Sequence, residues 1–322
     1  MRKKSEKNML VNLNKILPQA RRGGYAVGAF NINNLEIAQG IVAAAVKLGA
    51  PVVLQTSEGA LEYAGLEYLA AIAHVAAQMH ARTPIVFHLD HGTNVELVER
   101  VIKSGWYTSV MIDASREPFE KNIKITRRIV ELAHARGMSV EAELGPIHGI
   151  EDQVRVTRAE AAFTDPMQVK KFVAETKCDA LAISVGTAHG PVKYEPGEKP
   201  SLEFARIAAI AAITKLPLVL HGASSVPHEL LTELHAQCSR LGDCTRVHDA
   251  IGVPESQIKK AIALGISKVN VDTDLRMAFT GAVRNVLLVD AKTIDPRKIL
   301  GPGRDAVQKV VERKIKLFGE KK

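Results

Sequence analysis

The chain has 322 residues, 46% of them hydrophobic, enough for a large core and for about one or two domains. No apolar run reaches the roughly 18 residues a membrane span needs, and MRKKSEKNMLVNLN lacks the apolar centre of a signal peptide. The expectation is therefore a cytoplasmic protein with no membrane association. The net charge of +8 comes from Lys and Arg spread along helix-like segments rather than gathered beside aromatic residues, which argues against nucleic acid. It leaves a mild positive field suited to an anionic substrate. Cys178, Cys238 and Cys244 are too few for a disulfide framework and are expected as free thiols.

In chain order, eight apolar, β-branched runs read as strands: YAVGAFNI (25–32), PVVLQTS (51–57), PIVFHLDH (84–91), SVMIDAS (109–115), SVEAELG (139–145), ALAISVGTAHG (180–190), LPLVLHGAS (216–224) and SKVNVDT (267–273). Helical spacing fills the intervals, as in Leu35 to Leu48, Leu66 to Met79, Val95 to Ser104 and Asn122 to Arg136, and again in Met167 to Thr176, Leu202 to Thr214 and Ser256 to Leu264. Strand–helix alternation predicts a parallel sheet, because parallel neighbours need crossovers. Eight such units favour an α/β fold with a single (β/α)8 TIM barrel over residues 1–322, and an open doubly wound sheet is the alternative. Residues 1–9 and 319–322 read as frayed ends. Two long connections, 145–166 and 238–255, break the rhythm and read as functional or mobile loops.

A barrel carries its active site at the C-terminal ends of its strands. The polar residues fall there: Asn31, Ser57, Asp90 with His91, Asp113, Glu143, His189, His221, and Asn270 with Asp272. Three of these ends read His-Gly, at His91-Gly92, His189-Gly190 and His221-Gly222. One such histidine is most simply a hydrogen-bonded structural residue, whereas three neutral imidazoles with an open position suit a catalytic Zn2+. HGASS (221–225), SVGTAHG (184–190) and NVDT (270–273) let backbone amides approach a ligand, as at the phosphate sites many barrels build after their later strands. Tight turns without a ligand would use the same glycines.

The motifs FNINN, LDHG, MIDASREPFEKNI, EAELG with HGIED, GTAHG, LHGASS, GISKVNVDTD and DPRKILGPGRDAV, in this order over about residues 10 to 318, resemble the zinc-dependent class II fructose-bisphosphate aldolases. The resemblance implies reversible cleavage of fructose 1,6-bisphosphate to dihydroxyacetone phosphate and glyceraldehyde 3-phosphate, in glycolysis and gluconeogenesis. It implies that His91, His189 and His221 hold the catalytic zinc, and that Asp113 and Glu143 hold a second or displaced metal. Asp90 matches the acid/base at the C4 hydroxyl, with the orientation of a zinc-bound histidine as its bland alternative. Glu151 matches the loop glutamate that moves the C3 proton. His148-Gly149 stands where the family often has two glycines, so Asp152 remains the alternative register.

Gly190, Gly222, Ala223, Ser224, Asn270, Val271, Asp272 and Thr273 match the dihydroxyacetone phosphate site, beside which the family uses a monovalent cation (Na+ or K+). Asn31 and Ser57 match the aldehyde half. VDTDLR, with Asp272 and Arg276, stands where tagatose-bisphosphate aldolases tend to have a small residue and a lysine, which favours the fructose isomer. HGASSVP resembles aldolases of carbon-fixing organisms, which adds sedoheptulose 1,7-bisphosphate as a candidate substrate. The resemblance also implies a homodimer or homotetramer. Two readings of other classes stay open: a barrel metallohydrolase, which would usually carry His-x-His on the first strand where this chain has AFNIN, and an inactive regulatory barrel.

Overall fold

Ten strands and twelve helices make up the described residues of this computed structural model, which are 10–151, 154–157, 160–190, 200–241 and 252–319. The strands are Val27–Asn31 (β1), Val52–Thr56 (β2), Ile85–Gly92 (β3), Ser109–Ile112 (β4), Ser139–Leu144 (β5), Gly149–Glu151 (β6), Val154–Val156 (β7), Ala180–Ile183 (β8), Leu218–Leu220 (β9) and Ile266–Val271 (β10). All but β6 and β7 pair in parallel and close a barrel in the order β1-β10-β9-β8-β5-β4-β3-β2. The closed barrel, not the open sheet, is therefore the architecture. Each barrel strand is buried along its whole length, which is why these segments read as near-continuous apolar runs.

The helices are Leu13–Gly23 (α1), Leu35–Leu48 (α2), Glu58–Ala64 (α3), Leu66–Met79 (α4), Val95–Ser104 (α5) and Phe119–His134 (α6). Pro166–Thr176 (α7), Phe204–Ile213 (α8), His228–Leu241 (α9), Glu255–Ala263 (α10), Thr273–Val289 (α11) and Pro296–Leu317 (α12) follow. Side-chain caps start several of them: Asn34 accepts from the Ile37 N–H, Asn94 from Glu96 and Leu97, and Asp165 from Met167. Among the described residues, no helix is long and apolar enough to cross a membrane.

Two apolar layers hold the barrel. Outward-facing strand residues such as Phe30, Leu54, Phe87 and Leu89 pack against the helices. Inside, Val27, Ala29, Val53, Val86, Met111 and Val219 meet Leu13, Ile16, Leu17 and Ala20 of α1, so that this helix plugs the end opposite the strand C-termini.

The structure differs from the sequence reading both in its elements and in the state of one cysteine. The 145–166 connection contains the antiparallel hairpin β6–β7, where the sequence suggests a plain loop. Helix α12 is not evident from the chain-order pattern, yet its Lys314 is buried and donates to the Ser225 carbonyl at 2.8 Å while pairing with buried Asp274 at 2.7 Å. Cys178 is a free thiol that burial pushes up to about 12, but Cys238 is disulfide-bonded, which corrects the expectation of three free thiols. Cys244, Asp152, residues 1–9 and residues 320–322 lie outside the described residues. Gly319, just beyond the Phe318 cap of α12, has its N–H on the Lys316 carbonyl at 3.2 Å.

Candidate active site

The end of β3 departs from a regular strand. Along β3 and β4 the pairing runs Leu89 to Val110 and then Gly92 to Ile112, so three steps on one strand match two on the other. The extra residue is a bulge, and His91 within it has φ 44°, a left-handed conformation that is uncommon for a side chain of this size. Successive side chains on a regular strand alternate faces. Here Asp90 and His91 both reach groups inside the barrel mouth. Gly92 completes the turn in a space no side chain could share, since a Cβ there would lie 2.6 Å from the Met111 carbonyl oxygen.

The three histidines of the His-Gly pairs converge. Ring centroids are 4.4 Å apart for His91 and His221, 5.0 Å for His91 and His189, and 6.0 Å for His189 and His221. Each is nearly fully buried. The inner nitrogens of His221 (Nδ1) and His91 (Nε2) face each other at 2.7 Å. Their outer nitrogens are bound to carboxylates, His91 Nδ1 to Asp113 Oδ2 at 3.0 Å and His221 Nε2 to Glu141 Oε1 at 2.7 Å. A carboxylate acceptor puts the N–H on the outer nitrogen of a neutral imidazole. Two lone pairs then converge, with Asn270 Nδ2 also 3.3 Å from His221 Nδ1, and a cation relieves the repulsion between them. Among the described residues, two donor sets share His91, namely His91, His189, His221 and His91, Asp113, Glu143, and a third is formed by His88, Asp90 and Glu141, each with ligand atoms within 4.8 Å of one another. Nitrogen-rich and mixed nitrogen–oxygen sets of this kind fit a divalent transition metal.

Asp90 sits beside this cluster and is held differently. Its Oδ1 accepts from Asn270 Nδ2 at 3.0 Å and its Oδ2 from Gln55 Nε2 at 2.8 Å, while Gln55 also donates to Asn31 Oδ1 at 2.7 Å. Beneath it lies a fully buried layer in which the Glu141–Lys268 ion pair sits beside His88. Lys268 Nζ is 2.9 Å from Glu141 Oε2 and donates to Asn270 Oδ1 at 2.8 Å. His88 Nδ1 pairs with the Ser109 hydroxyl at 2.8 Å.

Burial would raise the Glu141 carboxyl, but Lys268 and His221 outweigh it and hold the group well below the usual carboxylate range. Burial also opposes ionisation of Asp113, and the hydrogen bonds with His91 and Ser115 win, leaving it at about 2. His88 is pushed well down by burial and by the Lys268 charge, so it stays neutral.

The remaining candidates ring the mouth. Ser57 caps α3, accepting from the Ala60 N–H at 3.2 Å. Gly190 and Gly222 adopt φ 90° and 61°; a Cβ on Gly222 would meet the Ala188 carbonyl oxygen at 2.5 Å, so the β8 and β9 ends touch backbone to backbone. Ala223, Ser224 and Val271 are buried. Val253 donates to the Ser224 carbonyl at 3.3 Å, which brings the end of the 238–255 connection to this turn. Asp272 precedes α11, which Thr273 begins, and grips Arg276 one turn on, with Nε to Oδ1 and Nη2 to Oδ2 both 2.8 Å.

The hairpin that carries Glu151 docks on the β8 end. His189 N donates to His148 O at 2.8 Å, and Gly149, at φ 120°, bridges His189 so closely that a Cβ would lie 2.4 Å from its carbonyl oxygen. Glu151 is described only in its backbone, and Asp152 lies outside the described residues. Gly149→Val should therefore undock the hairpin. We expect the His189 amide to exchange at least about tenfold faster and kcat to fall by roughly 10- to 100-fold, the usual cost of a displaced reacting group. Unchanged exchange and turnover would detach the hairpin from the chemistry.

The sequence reading passed over Gln55, Glu141 and Lys268, and set His88 aside as lying further down its strand. A signal was present for all four. Gln55, His88, Glu141 and Lys268 stand two residues before the rim residues Ser57, Asp90, Glu143 and Asn270, the spacing that puts strand side chains on one face.

The model for "Fructose-bisphosphate aldolase class-II" matches residues 11–322. The chain belongs to the class II fructose-bisphosphate aldolase family. It is 47% identical over 311 residues to a fructose-bisphosphate aldolase of Thermus caldophilus, covering 97% of this chain and 98% of that one. It is 45% identical to that of Giardia intestinalis, covering 96% and 93%. Among solved structures, the YdjI aldolase of Escherichia coli K12 superposes with a TM-score of 0.76 at 29% identity, over 97% of this chain and 98% of that one. Class II aldolases are metal-dependent, and the histidine–carboxylate cluster of this aldolase lies at the strand ends where a barrel keeps its chemistry.

Proposed function

We propose that the protein catalyses the reversible aldol cleavage of fructose 1,6-bisphosphate to dihydroxyacetone phosphate and glyceraldehyde 3-phosphate. The observation that carries this reading is the juxtaposition of three converging imidazoles with a separately held carboxylate, Asp90, in the mouth of the barrel. His91, His189 and His221 would hold a divalent metal, read as Zn2+, with Asp113 and Glu143 as a second or displaced position. When bound, the metal supplies positive charge against the enediolate that C3–C4 cleavage leaves behind.

The protein's own groups do the rest. Asp90 takes the proton from the C4 hydroxyl as the bond breaks and returns it in the condensation direction. Gln55 and Asn270 hold its two oxygens, so the carboxylate cannot rotate away. Glu151, on the docked hairpin, moves the C3 proton. The turn at Gly190 and the residues Gly222 to Ser224, with Asn270 to Thr273, receive the dihydroxyacetone phosphate group, whose charge a monovalent cation (Na+ or K+) would help to balance. Asn31 and Ser57 face the aldehyde half, although the Ser57 hydroxyl already caps α3. A homodimer or homotetramer belongs to this reading, supported by the exposed apolar side chains Val75 and Met79 of α4.

Asp272 and Arg276 carry the choice of sugar. A carboxylate placed to accept from a hydroxyl in one C4 configuration loses that charged hydrogen bond in the other, at about 1.5–3 kcal/mol, or roughly 10- to 150-fold in kcat/KM. Because the two side chains grip each other, Asp272→Ala also releases Arg276. It should lower kcat/KM for fructose 1,6-bisphosphate and narrow the gap to tagatose 1,6-bisphosphate, while Arg276→Ala should chiefly raise KM. The direct test is cleavage by the unmodified protein of fructose 1,6-, tagatose 1,6- and sedoheptulose 1,7-bisphosphates. Equal or faster cleavage of the tagatose isomer would overturn the substrate assignment and leave the aldolase chemistry standing.

A further inference from the structure

We propose that the buried Glu141–Lys268 pair is a positioning device for both halves of the site, setting which nitrogen His221 turns to the metal and which face of its amide Asn270 turns to Asp90. Both partners are fully buried, on strands that are not neighbours in the barrel, since β8 and β9 lie between β5 and β10. Their contact at 2.9 Å therefore crosses the floor under the catalytic groups.

Each partner has a second contact that points upward. Glu141 Oε1 takes His221 Nε2 at 2.7 Å, so Nδ1 is the nitrogen left to face His91 Nε2. Lys268 Nζ donates to Asn270 Oδ1 at 2.8 Å. An ammonium tolerates only an acceptor, so the amide must turn its Nδ2 away, and that group donates to Asp90 Oδ1 at 3.0 Å. An amide reversed end for end would present oxygen to a carboxylate and an NH2 to an ammonium, two repulsions at once. One ion pair thereby selects a tautomer on one side and an amide orientation on the other. A wholly apolar layer of the same volume would fill the floor as well and select neither.

The inference rests on the assignment of His221 to the metal and Asp90 to proton transfer. Removing one charge alone would strand the other in the interior, so the test uses neutral double variants. Glu141→Gln/Lys268→Met keeps an acceptor for His221, whereas Glu141→Leu/Lys268→Met does not. Both should melt within about 5 °C of the parent, because no buried charge is left unpaired.

Zn2+ affinity, read by competition with a chelator, should fall by about 10- to 100-fold in the Leu/Met variant and stay within a few-fold of the parent in the Gln/Met variant. The visible spectrum of the Co2+-loaded protein should follow the same order. At saturating metal both variants should lose about tenfold in kcat, because both lack the ammonium that orients Asn270. Parental metal affinity, Co2+ spectrum and kcat in both variants would overturn the proposal and leave the pair a packing element. Should neither variant fold, the 15N spectrum of His221 in the parent decides, with a proton on Nδ1 sinking the idea. If His221→Ala binds Zn2+ as the parent does, the metal assignment itself falls, and with it the inference.

Discussion

A metal chelator is expected to abolish cleavage, by roughly a thousandfold or more, and added Zn2+ or Co2+ to restore it. Without a metal, the negative charge on the departing three-carbon fragment has only hydrogen-bond donors around it, and Lewis-acid stabilisation of such charge is worth several kcal/mol, each 1.36 of which is tenfold in rate. The other route to an aldol cleavage stores that charge in a lysine imine, which requires a neutral, accessible amine. Among the described residues, Lys268 is the lysine buried with the site side chains, and its Nζ is engaged by Glu141 and Asn270 beneath them. Borohydride should therefore trap no substrate on the chain. A covalent lysine adduct, or full activity in a metal-stripped sample, would exclude the mechanism. Chelation should also lower the melting temperature, since a ligand that binds only the folded state stabilises it by mass action.

Replacing Asp90 by alanine should cut kcat by a factor on the order of 10²–10⁴, the usual worth of a positioned acid/base, with metal content close to normal. The separation of the two effects follows from the contacts. The carboxylates that orient the histidines are Asp113, on His91, and Glu141, on His221. Asp90 is instead held by the amides of Gln55 and Asn270. Its loss frees two amides and leaves the histidine orienters in place. A variant that arrives without metal and regains parental kcat once metal is supplied would make Asp90 an orienting group and return the proton transfer to another residue.

How much of this was legible in the sequence can be followed residue by residue. The eight strands are buried on both faces, so their apolar runs had to be continuous, and the segments predicted from Pro51, Pro84, Ser109 and Ser139 onward agree with β2 to β5 within a residue or so at most ends. The helices between them must bury one stripe, and Leu35 to Leu48, Leu66 to Met79 and Val95 to Ser104 coincide with α2, α4 and α5. The short hairpin that carries Glu151 has neither signature and owes its place to contacts with a distant segment, whereas α1, which plugs the barrel from below, has its apolar residues Leu13, Ile16, Leu17 and Ala20 at helical spacing and was legible though not read.

The same division holds at the site. Topology alone brings residues scattered from Asn31 to Asp272 to one rim, so once eight βα units are recognised, His91, His189 and His221 can be named from sequence. Periodicity could not show that a bulge and a left-handed His91 turn two successive side chains inward. Nor could it show which carboxylate each histidine uses, because Glu141 and His221 are 80 residues apart and meet at 2.7 Å only across the closed barrel. The sequence by itself determined the barrel and the chemical inventory of its rim, since these depend on local hydrophobic period and on residue type. Tertiary structure alone decided the buried Glu141–Lys268 layer, the amides that hold Asp90, and the docking of the Glu151 hairpin on His189. Those are pairings between strands and turns far apart in the chain, and a buried polar group can be matched to its partner only when the fold has brought the two within hydrogen-bond distance.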